Sequence, residues 1–397
     1  MLTRFNKVQT AMNRIKVTTI LGTRPEIIRL SRVMALLDQH TDHRIVHTGQ
    51  NWDYELNEVF FSDLNVRKPD SFMGVDTSSL GAVLGGVLME TEKELKANRP
   101  DALLVLGDTN SAISSIMARR MKIPIYHMEA GNRSYDRNVP EETNRKLVDH
   151  ISDFNLVYTE HARRHLLSEG IQHRRIYLTG SPMHEVLNDY RTEIKNSDIL
   201  TRLKLEATKY FVVSMDREEN VDDKDRLHSL IATLNALVKK YGFPIIISTH
   251  PRTKLRLDKI TDIQLDPLIR DLKPFGFHDY NHLQMKAFCS ISDSGTIAEE
   301  SSILNFPAIT PRDAIERPEA IDTGNIINTG LNQNTILEAI ELVTSIHAKR
   351  QKAGDLTAIP QDYQITNTAE RVVKLIMGTA RLSNGWDGIR THDYIGK

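Results

Sequence analysis

Short β-branched apolar runs alternate along this chain with longer stretches whose apolar residues recur at helical spacing. Residues 15–21, 43–47, 101–106, 123–126, 153–159 and 175–178 read as strands, and 210–214, 244–248, 287–292 and 308–310 repeat the pattern farther on. Between the first two runs, Ile27, Ile28, Leu30, Val33, Leu36 and Leu37 mark one face of a helix, with Pro25 in its first turn, where a missing N–H costs nothing. Helices are likewise predicted over 54–61, 80–95, 111–121, around Leu147 and Val148, and over 297–304, 335–349 and 368–377. Strand–helix alternation with apolar strands predicts an α/β fold built on parallel sheets, in two series. Residues 191–207 are charged and helical in pattern and read as the connector. The expected division is 1–188, 189–366, and a final helix with a divergent tail over 367–397.

Composition narrows the classes. A chain of 397 residues is long for one core, so two domains are expected. Hydrophobic residues make up 40%, charged residues 26%, and the net charge is −1, which gives no electrostatic case for nucleic acid or an anionic membrane surface. The single cysteine, Cys289, lies in an apolar strand, permits no intrachain disulfide and fits a reducing compartment. The polar, basic first 14 residues do not read as a signal peptide, and no run approaches membrane-spanning length, so a cytoplasmic location is expected.

The candidate chemistry gathers where predicted strands end. Arg24 follows the first strand at a helix start, either facing an anion or simply solvated. Gln50 follows the second. Asp108 follows the strand ending at Leu106, as a helix cap or as an acid facing a ligand. The stretch 126–145 (Y-H-M-E-A-G-N-R-S-Y-D-R-N-V-P-E-E-T-N-R) carries Glu129, Glu141 and Glu142 among arginines. In the second series, Asp216 and Arg217, then His250, then Ser294-Gly295-Thr296 occupy equivalent positions, with Glu299 and Glu300 one turn into the next helix. That last start suits a diphosphate, or is an ordinary serine cap with acidic first-turn residues. Arg317 follows a further strand and could clamp phosphate. Neither G-x-G-x-x-G after a strand nor G-x-x-x-x-G-K-[ST] is present, which argues against nicotinamide, flavin and P-loop chemistry. His127 and His150, 23 residues apart, lack compact metal-ligand spacing, so no metal site is expected.

In order, G-T-R-P-E-I-I-R-L-S, H-T-G-Q-N-W-D-Y, L-G-D-T-N-S, H-M-E-A-G-N-R, V-P-E-E-T-N-R-K, T-G-S-P-M, R-E-E-N-V-D, S-T-H-P-R, K-P-F-G-F-H-D-Y, S-D-S-G-T-I-A-E-E-S-S and E-R-P-E cover nearly the whole chain. Together they resemble the non-hydrolysing UDP-N-acetylglucosamine 2-epimerase family. Within it they look most like the capsule and O-antigen branch that makes UDP-N-acetyl-L-fucosamine. The resemblance implies two Rossmann-like domains facing across a cleft, as in GT-B glycosyltransferases, with a UDP-sugar between them. It also implies a final helix returning to the first domain, no cofactor, and a homodimer. The implied reaction inverts carbon 2 by eliminating UDP to a 2-acetamidoglycal and adding it back. Asp108, Glu129 and Glu141 fall on catalytic acidic positions, Arg24 and Arg317 on phosphate-contacting ones, and Ser294, Gly295 and Glu300 on the phosphate and ribose site. Arg29, Gln50, Arg217, His250, Tyr280 and Thr296 complete the implied substrate-binding set. Relatives that use a second UDP-sugar as activator leave Gln50 and His250 open to that role. Asp216 stands where the family carries a catalytic histidine. A carboxylate there repels a departing diphosphate by about 4 kcal/mol at ~4 Å and an effective dielectric near 20, as an upper guide, so weakened or lost activity is expected. The competing readings are a GT-B glycosyltransferase, which needs no three acids around carbon 2, a hydrolysing epimerase, and a non-catalytic UDP-sugar binder.

Overall fold

The computed structural model describes residues 14–49, 54–136, 138–215, 223–249, 254, 263–313, 317–356 and 358–390. Gln50, Asp216, Arg217 and His250 lie outside the described residues.

Two parallel sheets carry the chain. The first contains β1 (Lys16–Leu21), β2 (Asp42–His47), β3 (Ser71–Phe72), β4 (Ala102–Leu106), β5 (Ile125–Ala130), β6 (Phe154–Val157) and β7 (Ile176–Leu178), in the order β3-β2-β1-β4-β5-β6-β7. The second contains β8 (Phe211–Ser214), β9 (Ile245–Ser248), β10 (Ile269–Leu272), β11 (Cys289–Ser292), β12 (Ala308–Thr310) and β13 (Ile327–Asn328), in the order β10-β9-β8-β11-β12-β13. The predicted parallel α/β architecture is observed. β4 and β5 are buried at every position, as strands covered on both faces must be. The strand order reverses between β1 and β4, and again between β8 and β11. Loops diverge at such points and leave a crevice at the C-terminal strand ends.

The helices that shape the first crevice are α1 (Arg24–His40), α2 (Tyr54–Asp63), α3 (Leu80–Ala97), α4 (Ser115–Arg120), α5 (Pro140–Ile151), α6 (Glu160–Ser168) and α7 (Met183–Asp189). α1 buries Ile27, Leu30, Val33, Met34 and Leu37 on the face its sequence periodicity marks. The connector is not one helix over 191–207. It forms two short helices, Arg191–Asn196 and Ile199–Leu203, interrupted at Ser197 and Asp198 and closed by Lys204 in the left-handed region at φ 53°. The late helix Thr368–Thr379 packs back on α1, and Thr379 hydrogen-bonds the Tyr126 hydroxyl of β5 at 2.6 Å. Its buried Val372, Val373 and Ile376 join the same core as Leu30 and Met34. No helix among the described residues is long and apolar enough to cross a membrane.

Candidate active site

β5 runs farther than its apolar pattern predicts, through Glu129 to Ala130. The strand tolerates the carboxylate because its pairing with β6 shifts between Met128 and Ala130. Glu129 itself takes φ 63°, a left-handed conformation costly for a side chain with a Cβ. Such a bulge re-aims one side chain out of the sheet. Gly131, two residues on, has φ 81°, and a Cβ there would stand 2.5 Å from the Ala162 carbonyl oxygen of α6. Only glycine lets the strand end pass this close to the helix.

The aimed carboxylate is met by cations from both halves of the molecule. Arg29 of α1 donates to Glu129 Oε2. Arg317, after β12, brings Nη2 to 3.6 Å from Oε1. Asn132 Nδ2 donates to Oε1 at 3.3 Å. Glu129 and Arg317 are 9% and 7% exposed, so these charges interact with little water between them. Arg317 also lies 3.1 Å from Glu299 and 4.0 Å from Glu319. Burial works against its charge, but those carboxylates outweigh it and hold the guanidinium above its ordinary range.

Asp108 stands at the neighbouring strand end. A Cβ on Gly107, just before it, would lie 4.0 Å from Glu129 Oε2. Arg145 of α5 holds the Asp108 carboxylate through Nε at 3.0 Å and reaches Glu142 through Nη1 at 3.1 Å. Glu142 also accepts from the Ser134 N–H and hydroxyl, each at 3.0 Å. Burial raises its carboxyl, but the Ser134 and Arg145 partners win and keep it below its ordinary range. Of the adjacent acids at the start of α5, Glu142 is the buried one, while Glu141 sits at the exposed first turn.

Two buried networks hold these strand ends in place. Glu26 accepts from the Gly22 N–H at 3.0 Å, from the Thr23 hydroxyl at 2.8 Å, and from Ser111, tying the β1–α1 turn that carries Arg24 to the segment after Asp108. Burial pushes its carboxyl up against these donors. Behind Glu129, His127 contacts the Gly107 carbonyl at 2.8 Å and Asp149 at 2.9 Å. Asp149 in turn pairs with Arg133 at 2.8 Å, whose other edge holds Glu169. His150 is exposed on the rim of that network, 3.2 Å from Glu169. The described residues hold no group of three or more His, Cys, Asp or Glu side chains arranged for a metal.

The second sheet contributes an open crevice lined by Ser294, Gly295, Thr310, Arg312, Arg317 and Asn328. A side chain at Gly295 would meet nothing within 4 Å, so its backbone borders open space at the start of the Ile297–Leu304 helix. Among the described residues, Thr310 Oγ1 and Asn328 Oδ1 are buried without a hydrogen-bond partner, and their residues line the same space. Thr296 donates to Glu300 at 2.7 Å, and burial pushes the Glu300 carboxyl up. Ser181, after β7, donates to Glu299 across the two halves. Arg24 is partly buried over the Phe60 ring, 5.7 Å from its centroid. Tyr280 packs on the core beside Leu283. Glu26, Arg145 and Tyr158 adjoin the candidate site although sequence reasoning assigned them no role. Each owes its place to contacts between segments far apart in sequence.

The chain matches the family described as UDP-N-acetylglucosamine 2-epimerase over residues 35–377. It is 44% identical to the solved UDP-N-acetylglucosamine 2-epimerase from Rickettsia bellii, covering 94% of this chain and 98% of that one, with a TM-score of 0.85. It is 34% identical to the Methanocaldococcus jannaschii UDP-GlcNAc 2-epimerase solved in complex with UDP-GlcNAc and UDP, covering 92% and 100%, with a TM-score of 0.83. A Pseudomonas aeruginosa UDP-2,3-diacetamido-2,3-dideoxy-D-glucuronate 2-epimerase is 30% identical over 86% of this chain and 95% of its own length. On these likenesses the chain is an epimerase, a member of the UDP-N-acetylglucosamine 2-epimerase family.

Proposed function

We propose that the chain inverts carbon 2 of a UDP-2-acetamido-sugar by eliminating UDP and adding it back. A base takes the proton from carbon 2 as the bond from carbon 1 to the diphosphate oxygen breaks, leaving a 2-acetamidoglycal and UDP. The diphosphate oxygen then re-forms its bond to carbon 1 while a proton reaches carbon 2 from the opposite face. The observation that carries this reading is Glu129, a buried carboxylate aimed by a bulge between Arg29 and Arg317. A proton acceptor beside two cations would suit a departing diphosphate, and the burial of Glu129 and Arg317 supports this reading. Asp108 is the second acid and Glu141 the third candidate. Arg24 joins the phosphate contacts. Ser294, Gly295 and Thr296 would receive the diphosphate at a helix start, and Glu300 the ribose hydroxyls. Arg217, Gln50, His250 and Tyr280 remain proposed substrate contacts, and Asp216 is proposed to slow the reaction. We take the enzyme to be a cytoplasmic homodimer.

For the sugar we propose the UDP-N-acetyl-L-fucosamine branch, serving capsule or O-antigen synthesis, on the strength of H-T-G-Q-N-W-D-Y and K-P-F-G-F-H-D-Y. A second reading, UDP-N-acetylglucosamine and its 2-epimer, is favoured by the name of the 44% identical Rickettsia bellii protein. Proton NMR of each UDP-sugar in deuterated buffer separates them. The true substrate gains deuterium at carbon 2 with no acceptor present, and Glu129→Gln lowers the exchange by about 10²- to 10⁴-fold. A glycosyltransferase would need an acceptor, a hydrolase would accumulate UDP, and a binder would exchange nothing. Absence of exchange on every UDP-2-acetamido-sugar, with this chain and with Asp216→His, sinks the proposal.

A further inference from the structure

Tyr158 follows β6 directly, and β6 is the strand paired with the bulged end of β5, Val157 against Ala130. Tyr158 therefore stands one residue past the register partner of Ala130, at the strand end next to the bulge. It is fully buried, and its ring lies under the Arg317 guanidinium, whose central carbon is 5.8 Å from the ring centroid. Arg29 and Glu299 are the other charged groups acting on the phenol. Burial pushes the phenol up against the pull of Arg29, and Glu299 adds to the rise, so the hydroxyl stays protonated and can donate. Yet among the described residues it has no hydrogen-bond partner.

Buried tyrosine hydroxyls are ordinarily paired, because an unpaired one forfeits its hydration for nothing. Phenylalanine would fill the same space and keep the same contact with Arg317. A hydroxyl kept at that cost, beside the two arginines that meet Glu129, has a ligand to serve. The surrounding cations specify an anionic oxygen.

We infer that Tyr158 is a substrate-contacting residue whose hydroxyl donates to an oxygen of the departing diphosphate, as a third donor beside Arg29 and Arg317. This rests on the reading of those arginines as the diphosphate site. The hydrogen bond strengthens as negative charge grows on the diphosphate, so it acts more on turnover than on ground-state binding.

The test is Tyr158→Phe, which keeps the ring and removes one oxygen. Calorimetry with UDP, carbon-2 exchange kinetics and thermal melting are compared with the unmodified chain. The expected result is a UDP affinity weakened about 10-fold and a kcat lowered about 10- to 100-fold, the range for one hydrogen bond to a charged group. KM should change less than kcat, and the melting temperature should be unchanged or higher. A kcat and UDP affinity both within twofold of the unmodified chain overturn the inference. So does a lowered melting temperature, which would reveal an intramolecular partner for the hydroxyl. If the unmodified chain itself binds no UDP, the nucleotide reading fails instead.

Discussion

Replacing Arg317 with methionine isolates what this side chain does for the fold. It is 7% exposed and faces three carboxylates, Glu299 at 3.1 Å, Glu129 at 3.6 Å and Glu319 at 4.0 Å. At such separations each pair is worth roughly 4–5 kcal/mol at an effective dielectric near 20. Burying the charges takes back part of that, so removing one partner of a buried cluster costs about 3–5 kcal/mol. Methionine fills much of the volume, which leaves the carboxylates as the main source of the loss. Burial already pushes the Glu319 carboxyl up against the pull of Arg317, and without the arginine it climbs further. A carboxyl whose folded value is raised contributes stability that is fully present below its unfolded value, about 4.3, and is lost as pH rises through the folded value. Arg317→Met is therefore expected to lose about 3–5 kcal/mol at pH 8 and distinctly less at pH 5. Urea unfolding midpoints at the two pH values measure this. Arg317→Met combined with Glu319→Gln should recover part of the loss at pH 8. Equal losses at both pH values, with no recovery in the double variant, would refute the electrostatic account.

Two further substitutions probe the strand end and the leaving-group side. Gly131→Ala forces a side chain into a φ of 81° and against the Ala162 carbonyl. The backbone strain alone costs about 1–3 kcal/mol, and thermal melting should fall accordingly; an unchanged melting curve would show that the turn relaxes freely. Asp216→His should raise kcat in the carbon-2 exchange assay, and an unchanged rate would remove position 216 from the leaving-group side.

The parallel sheets were legible because their central strands are apolar on both faces and end in polar clusters. β10 was missed because I-R-D-L offers two charges in four residues, and β3 and β13 because two residues carry no period. The continuation of β5 through Glu129 was hidden by the bulge, since a charged residue inside a central strand contradicts the pattern that identifies one. Asp108, Glu129 and Arg317 were picked out as candidates by their places after predicted strands, a property of sequence order. Glu142 was named beside Glu141 with no means of choosing between them, and Tyr158 was passed over. Glu142 differs from Glu141 only in which side of the helix turn faces Arg145, and Tyr158 reads in sequence as one more apolar residue closing a strand.

The return of the Thr368–Thr379 helix onto α1 means that the polypeptide bridges the two lobes twice, near Arg191 and again just before Thr368. A lobe attached by one covalent strap can swivel in any direction. One attached by two can only flap about the line joining them, like a door on a pair of pins. Any widening of the gap between Glu129 and Arg317 is thereby channelled into a single swing. Such a swing would bring the same pair of side chains back together.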